Sequence, residues 1–565
     1  MSNNNQILLE EFVKQELANF EENTSITDFF EFFAPLQVLK GYELSFDEIS
    51  SGISGKSHDG GADSIYLFVN GELVKEDENI KDKYKKNVEI EFVLIQSKYE
   101  NSFGEDPLMK LSRLCRGLFD LDFERSEFEG RYNSKVLTAF ELFRSTYVAL
   151  ITKKPTLKIT VHYVSKGADV HPNVLAQSKD LRADIEEKLP NAIVTVDFVG
   201  AEKLMKLTQE KVNNVFTLKI SDNPLSTTAQ VFIALTNLSD YFKFITDDEG
   251  NLLKYIFESN VRDYQRNANV NNEIQDTLAN PGSEEFWWLN NGVTILASEA
   301  KAPGGKKLVI HNPEIVNGLQ TSTEIFRYFS QNKKMINDEK RDVLIRVIVP
   351  ENEETRDKII RATNSQTPIP KASLRATDQV HRQIEEYLKP RGMYYDRRKN
   401  YYKNEGKKPK DIISIPFMSQ CLMSALMQKP DFARARPSTL LEDDESYNKL
   451  FHKNNDLSTY YLLASWGRNI ETALKEAKKY EATEITDIKF YVLYAVTTLI
   501  TKNIYPGNNE LAKLDIKLAT TKLINDVINI VFDLYKELGG NDRVAKGPAL
   551  VESLKEKLRA MLDVK

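Results

Sequence analysis

Two periods of hydrophobic residues divide the chain. From Gln6 to Asn23, Ile7, Leu8, Phe12, Leu17 and Phe20 recur at helical spacing, and from Ser25 the aromatics Phe29, Phe30, Phe32 and Phe33 predict a second helix ending at Pro35. The period then changes. Ile65 to Val69 form an apolar run between Gly60-Gly61 and Asn70-Gly71, and Ile90, Phe92 and Leu94 alternate with acids, so two strands are expected. Residues 105–150 read as helical. They are followed by a strand at 157–165, a helix near 173–189, a strand at 192–200 and the helix AEKLMKLTQ. Strands alternating with helices predict an α/β sheet with helical cover over the N-terminal part, with a junction near Ser221–Pro224. From about 412 onward the pattern is all-helical. Met418, Met423 and Met427 sit at turn spacing as core residues, and 487–500 is apolar nearly all round, as in a buried helix or dimer interface.

Composition narrows this only slightly. At 565 residues the chain exceeds a single core, and 41% hydrophobic with 28% charged residues is a globular mixture of two or three domains. A net charge of −7 argues against non-specific coating of nucleic acid but permits a local basic site. Cys115 and Cys421 lie far apart in apolar contexts, so a reducing compartment is expected rather than a disulfide framework. The six His show no zinc-ligand spacing; His162 reads as structural and His171 as a solvated loop residue. MSNNNQILLEEF lacks the features of a signal peptide, and no apolar run is long enough to span a bilayer, so a soluble cytoplasmic protein is expected, with no membrane partner.

The densest candidate chemistry lies in 59–99. Asp63 heads the first strand, while Gln96 and Lys98, two apart at the end of the second, share a face. A carboxylate, an amide oxygen and an ammonium at one strand end suit phosphodiester cleavage with a hard cation, the lysine orienting water and offsetting phosphate charge. GGAD before one strand and QSK closing the next resemble the PD-(D/E)XK nucleases in their Mrr-like form, where Gln replaces the second acid. The resemblance implies a restriction-endonuclease-like domain over 1–222 and an upstream helical acid, best matched by Glu31 and next by Glu48. It also implies Mg²⁺ or Mn²⁺ held by Asp63, Gln96 and the Ser97 carbonyl, with Asp59 in support.

Three long blocks mark the second half: 260–297 (NVRDYQRNANVNNEIQDTLANPGSEEFWWLNNGVTILA), 313–326 (PEIVNGLQTSTEIF) and 359–378 (IIRATNSQTPIPKASLRATD). In this order they resemble the AIPR family of abortive-infection phage-resistance proteins, in which a nuclease-like domain is a frequent N-terminal neighbour. The middle block is distantly similar to DGQHR-type proteins of DNA sulfur-modification systems, although Asn317-Gly318-Leu319-Gln320-Thr321 lacks their acid and basic pair. Physically, the blocks set amides beside tight turns. Asn290, Asn291, Asn317, Gln320 and Asn364, with Arg262 and Arg361 for charge and Trp287 or Trp288 for stacking, compose a candidate nucleotide or nucleic-acid pocket. Each Asn or Gln taken singly is as readily a turn-stabilising residue.

A basic strip at 389–410 carries nine Lys and Arg with two Tyr pairs, and Arg397, Arg398 and Lys399 within it are candidate nucleic-acid contacts.

These readings converge on three parts: an α/β restriction-endonuclease-like domain at 1–222, an α+β AIPR domain at 223–450 and a mostly helical region at 451–565. The expected function is an antiphage effector, a magnesium-dependent endonuclease cutting DNA ahead of RNA. It would be gated by the AIPR part, respond to a phage-derived trigger and assemble as a homodimer or larger homo-oligomer. The alternatives are a non-catalytic nucleic-acid-binding or regulatory protein, and a nucleotide-hydrolysing switch centred on 287–366.

Overall fold

The computed structural model describes the chain except residues 1–3, 21–23, 43, 56, 77–79, 85–87, 210–214, 227–229, 248–249, 251, 258–268, 280–283, 365–378, 398, 436–442, 453, 478 and 564–565. The chain forms two compact units: residues 1–209 together with 378–565, and residues 210–377.

The first unit begins with α1 (Asn4–Ala18), α2 (Ile26–Val38) and α3 (Phe46–Gly52). Pro35 does not end α2 as expected; it lies inside it. Proline removes one N–H, but Phe29, Phe30, Phe32, Phe33, Ala34 and Gln37 are buried around it, so packing carries the helix onward.

A five-stranded sheet follows, in the order β2-β1-β3-β4-β5. Its strands are β1 (Ser64–Val69), β2 (Glu72–Leu73), β3 (Glu89–Lys98), β4 (Thr156–Ser165) and β5 (Ala192–Val199). β1 runs antiparallel to β3, pairing Ser64 with Ile95, whereas β3, β4 and β5 are mutually parallel. Helices α4 (Asp106–Leu118), α5 (Ser134–Leu150), α6 (Pro172–Lys188) and α7 (Ala201–Gln209) complete the layers. Ile65, Leu67, Ile90, Phe92 and Leu94 share one core with residues of α4, α5 and α6. Tyr66, Phe68, Val93 and Ile95 face the other core, with α1, α2 and α7. This is the α/β sheet with helical cover that the alternation predicts.

The second unit has a five-stranded sheet built on β6 (Leu225–Ser226), β7 (Val231–Asn237), β8 (Val293–Leu296), β9 (Glu314–Asn317) and β10 (Asp342–Ile348), in spatial order β9-β8-β10-β7-β6. A three-stranded sheet lies beside it. Helices α8 (Leu319–Gln331) and α9 (Glu353–Asn364) follow β9 and β10.

Residues 379–563 return to the first unit through α10 (Gln379–Leu388), α11 (Ile415–Leu426), α12 (Leu457–Glu476), α13 (Ala482–Thr501), α14 (Thr521–Glu537) and α15 (Pro548–Asp563). The expected boundary at 450 does not separate compact bodies. Val380, Leu388, Met418, Leu450, Trp466, Tyr491, Val531 and Leu558 belong to one core, so 379–450 packs as part of the helical body. That body is tied to the N-terminal part by Ser414–Asp47 at 2.8 Å, Arg468–Asp47 at 3.2 Å and Lys399–Glu48 at 2.9 Å.

Candidate functional site

Asp63 precedes β1 directly opposite Gln96, because the antiparallel register pairs Ser64 with Ile95. Alternation then puts Asp63, Gln96 and Lys98 on the side of the sheet that α4 covers. Asp63 is 3% and Gln96 1% exposed. The Asp63 Oδ2 accepts the Ser97 backbone N–H at 2.6 Å and a hydrogen bond from Gln96 Nε2. Burial pushes the Asp63 carboxyl up to about 8, against the Lys98 charge and the Ser97 N–H; Glu31 and Asp59 push it further in the same direction. Glu31 of α2 is thus electrostatically part of this site.

The turn before β1 is held on all sides. Gly61 has φ +88°, and a Cβ there would lie 3.0 Å from the Pro107 carbonyl, 3.2 Å from Lys110 Cβ and 3.3 Å from Gln96 Oε1. The Asp59 carboxylate accepts the Gly61 N–H at 2.7 Å and so holds the turn that leads to Asp63. Ser54 Oγ donates to the Asp63 carbonyl at 2.9 Å, and Asn133 Nδ2 donates to the carbonyls of Ser54 and Ser57. Lys110 went unnoticed in the sequence; the signal was its i, i+3 spacing to Arg113 directly after the QSK strand.

The donors suit a hard cation in kind: a carboxylate, an amide oxygen, a backbone carbonyl and Glu31 nearby. Their number of acids is small, since no group of three His, Cys, Asp or Glu placed for a metal occurs among the described residues. Gln96 also turns its Nε2 rather than its oxygen toward Asp63, so the amide has to rotate by a half-turn before it can serve as a ligand.

Glu48, the second-choice acid, is engaged elsewhere. It closes a capping box with Ser45 and pairs with Lys399, and although burial raises its pKa, Lys399 and Lys75 hold it below the ordinary value.

The basic strip is largely consumed inside the fold. Arg397 is 5% exposed and pairs with Glu385 at 3.1 Å, which also accepts the Tyr402 hydroxyl at 2.7 Å. A buried, paired guanidinium cannot reach a phosphate, so the expected nucleic-acid role of Arg397 is withdrawn. Lys399 is half-exposed but paired with Glu48. Arg398 lies outside the described residues.

The amide cluster is spread through the second unit. Asn290 Nδ2 donates to the Phe286 carbonyl at 2.8 Å and Asn317 Nδ2 to the Thr363 carbonyl at 2.9 Å, which makes both turn-holding contacts. The exposed Asn291 offers its carbonyl to Arg346 at 3.3 Å. Gln320, at the start of α8 behind Gly318 (φ +103°), has a buried Oε1 without a partner among the described residues. Arg262 and the side chains of Arg361 and Asn364 lie outside the described residues.

His162 pairs with Asp197 at 3.0 Å across β4 and β5, a partner the sequence did not show. Among the described residues, no helix is long and apolar enough to cross a membrane.

In comparison with known proteins, the profile of the AIPR protein family matches residues 257–537, which supports that family for this chain. No curated protein and no solved structure gives a significant match.

Proposed function

With residues 257–537 matching the AIPR protein family, we propose that this chain is an abortive-infection antiphage effector whose N-terminal sheet is a metal-dependent nuclease acting on DNA. The observation that carries the reading is the convergence of Asp63, Gln96 and Lys98 on one strand end, with Glu31 near enough to raise the buried carboxyl. Asp63, the Gln96 oxygen and the Ser97 carbonyl would hold Mg²⁺ or Mn²⁺. When bound, the cation supplies charge stabilisation and a more acidic water. Lys98 places the attacking water and screens the phosphate. Asp59 keeps the Gly60-Gly61 turn closed, which fixes Asp63 against Ser97 and leaves only the Gln96 amide to turn.

Gating by the helical region has support in one contact. Ser57 Oγ donates to Glu481 at 3.3 Å, and a Cβ on Gly55 would lie 3.5 Å from Ala482 Cβ, so the start of α13 rests on the loop that leads to Asp63. A shift of α13 would move that loop.

Cleavage of plasmid, linear duplex, single-stranded DNA and RNA with Mg²⁺, Mn²⁺ or EDTA tests the reading. Metal-dependent cutting lost in both Asp63→Ala and Lys98→Ala is the expected result, whereas equal cutting by all three proteins removes the assignment. The Gln96 N–H facing Asp63 favours a second reading, a non-catalytic fold that docks nucleic acid. Full protection by both variants in phage-challenged cells would select it.

A further inference from the structure

α4 follows the loop after Lys98 and presents two exposed cations one turn apart, Lys110 and Arg113. Lys110 Cβ and the Gln96 amide oxygen both lie within 3.3 Å of the point a side chain at Gly61 would occupy, which puts exposed Lys110 against the turn that leads into Asp63. On the other side of the turn, a Cβ at Gly60 would lie 2.9 Å from the Tyr132 ring, and the charges of Arg131 and Arg113 both reach the Tyr132 phenol. Lys110 therefore adjoins Gly61, while Arg113 and Arg131 lie about the Tyr132 side chain that packs on Gly60.

They differ from the cations tied up in nearby ion pairs, although the Arg131 guanidinium lies over the Phe128 ring, 5.5 Å from its centroid. Arg116, the next basic residue of α4, is tied to Asp184 at 2.8 Å. Arg397 and Lys399 of the basic strip are paired with Glu385 and Glu48. Lys98, Lys110, Arg113 and Arg131 take part in none of the ion pairs among the described residues. Acids on the same edge have other duties: Asp59 accepts the Gly61 N–H, while Glu105 and Asp106 stand at the N-terminus of α4, where negative charge complements the helix dipole.

We propose that Lys110, Arg113 and Arg131 form a phosphate track that leads a polynucleotide backbone to Asp63 and Lys98, an assignment that rests on the nuclease reading of that site. Side chains at i and i+3 start about 5–6 Å apart, and both are long enough to take neighbouring phosphates of one strand. The track recognises the phosphodiester backbone rather than base edges, so it positions substrate without specifying sequence.

The test is binding of labelled single-stranded DNA, duplex DNA and RNA oligonucleotides in EDTA across a salt series. Lys110→Gln combined with Arg113→Gln should weaken binding about tenfold or more and lower the log–log salt slope by about two on duplex DNA. Lys153→Gln with Lys154→Gln, at the opposite strand end and equal in charge change, should leave both unchanged; matching melting curves verify that each variant is folded. The arm that loses most names the polynucleotide. Unchanged binding in the α4 pair, equal weakening by both pairs, or no salt-sensitive binding by the wild type overturns the track. The two readings separate cleanly. Metal-dependent cleavage that needs Lys98 while binding ignores Lys110 and Arg113 removes the track and leaves the nuclease. Weakened binding in the α4 pair without metal-dependent cleavage keeps the track and removes the nuclease.

Discussion

Asp63 shows how a function-bearing residue burdens its own fold. Its carboxyl sits in a site that burial makes hostile to charge, and the Gln96 and Ser97 hydrogen bonds only partly compensate. Near neutral pH the unfolded Asp63 is ionised and must take up a proton to enter this site, a cost that grows as pH rises above 3.8 toward about 8. Asp63→Asn keeps the shape without that cost, so in EDTA at about pH 7 the variant should be more stable than wild type, by roughly 2 kcal/mol. Mg²⁺ at a hundredfold over its dissociation constant should stabilise the wild type by about 2.7 kcal/mol and leave the variant unmoved. Melting curves with and without Mg²⁺ decide it, and a wild-type curve indifferent to the metal would sink the cation assignment. Asp197 behaves in the opposite sense. Although burial opposes ionisation, His162 and Lys203 hold its carboxyl down at about 2. A depressed folded pKa adds stability above the unfolded value near 3.8 and loses it as pH falls through about 2. Asp197→Asn should therefore cost on the order of 2 kcal/mol at pH near 7 and almost nothing at pH near 2. Urea titrations at the two pH values measure the difference; an equal cost at both would refute the pairing.

Among the elements, the turn into β1 is the most exacting. Gly61 at φ +88° leaves its backbone against the Pro107 carbonyl and Gln96, where a methyl group would meet the carbonyl at 3.0 Å. Gly61→Ala should cost about 1–3 kcal/mol through left-handed strain and push α4 away from the turn. Cleavage should fall with little change in helix content by circular dichroism; wild-type cleavage would mean that the turn tolerates displacement. Much of this element was legible in advance. The strand alternation, the Gly-Gly signal and the shared face of Gln96 and Lys98 all followed from period and turn chemistry. Two things were not. The sequence showed charges without their partners, so the 389–410 strip looked like a nucleic-acid surface although Arg397 is buried against Glu385. The i, i+3 spacing of Lys110 to Arg113 was visible, but not that α4 folds back over Gly61 and brings Lys110 there.

Across the whole molecule, the return of 378–565 to the first unit changes which residues stand or fall together. Trp466 is fully buried, and its indole N–H donates to the Ile516 carbonyl at 2.8 Å. Trp466→Ala should cost about 3–5 kcal/mol. In calorimetry it should lower the same transition that Asp63→Asn raises, while the transition of 210–377 keeps its temperature. If the two variants act on separate transitions, the unit does not melt as one body.

Sequence by itself determined the local elements, the α/β order of the N-terminal part, the helical C-terminal part and the shared face of Gln96 and Lys98, while the β1–β3 register brought Asp63 opposite Gln96. It could do so because period-2 and helical alternation are set by neighbours along the chain. Only the tertiary structure decided that 379–450 shares a core with the C-terminal helices, that Pro35 is carried inside a helix, and which cations are neutralised and which stay free. Those outcomes depend on pairings such as Arg468–Asp47, between residues hundreds of positions apart, which no local pattern records.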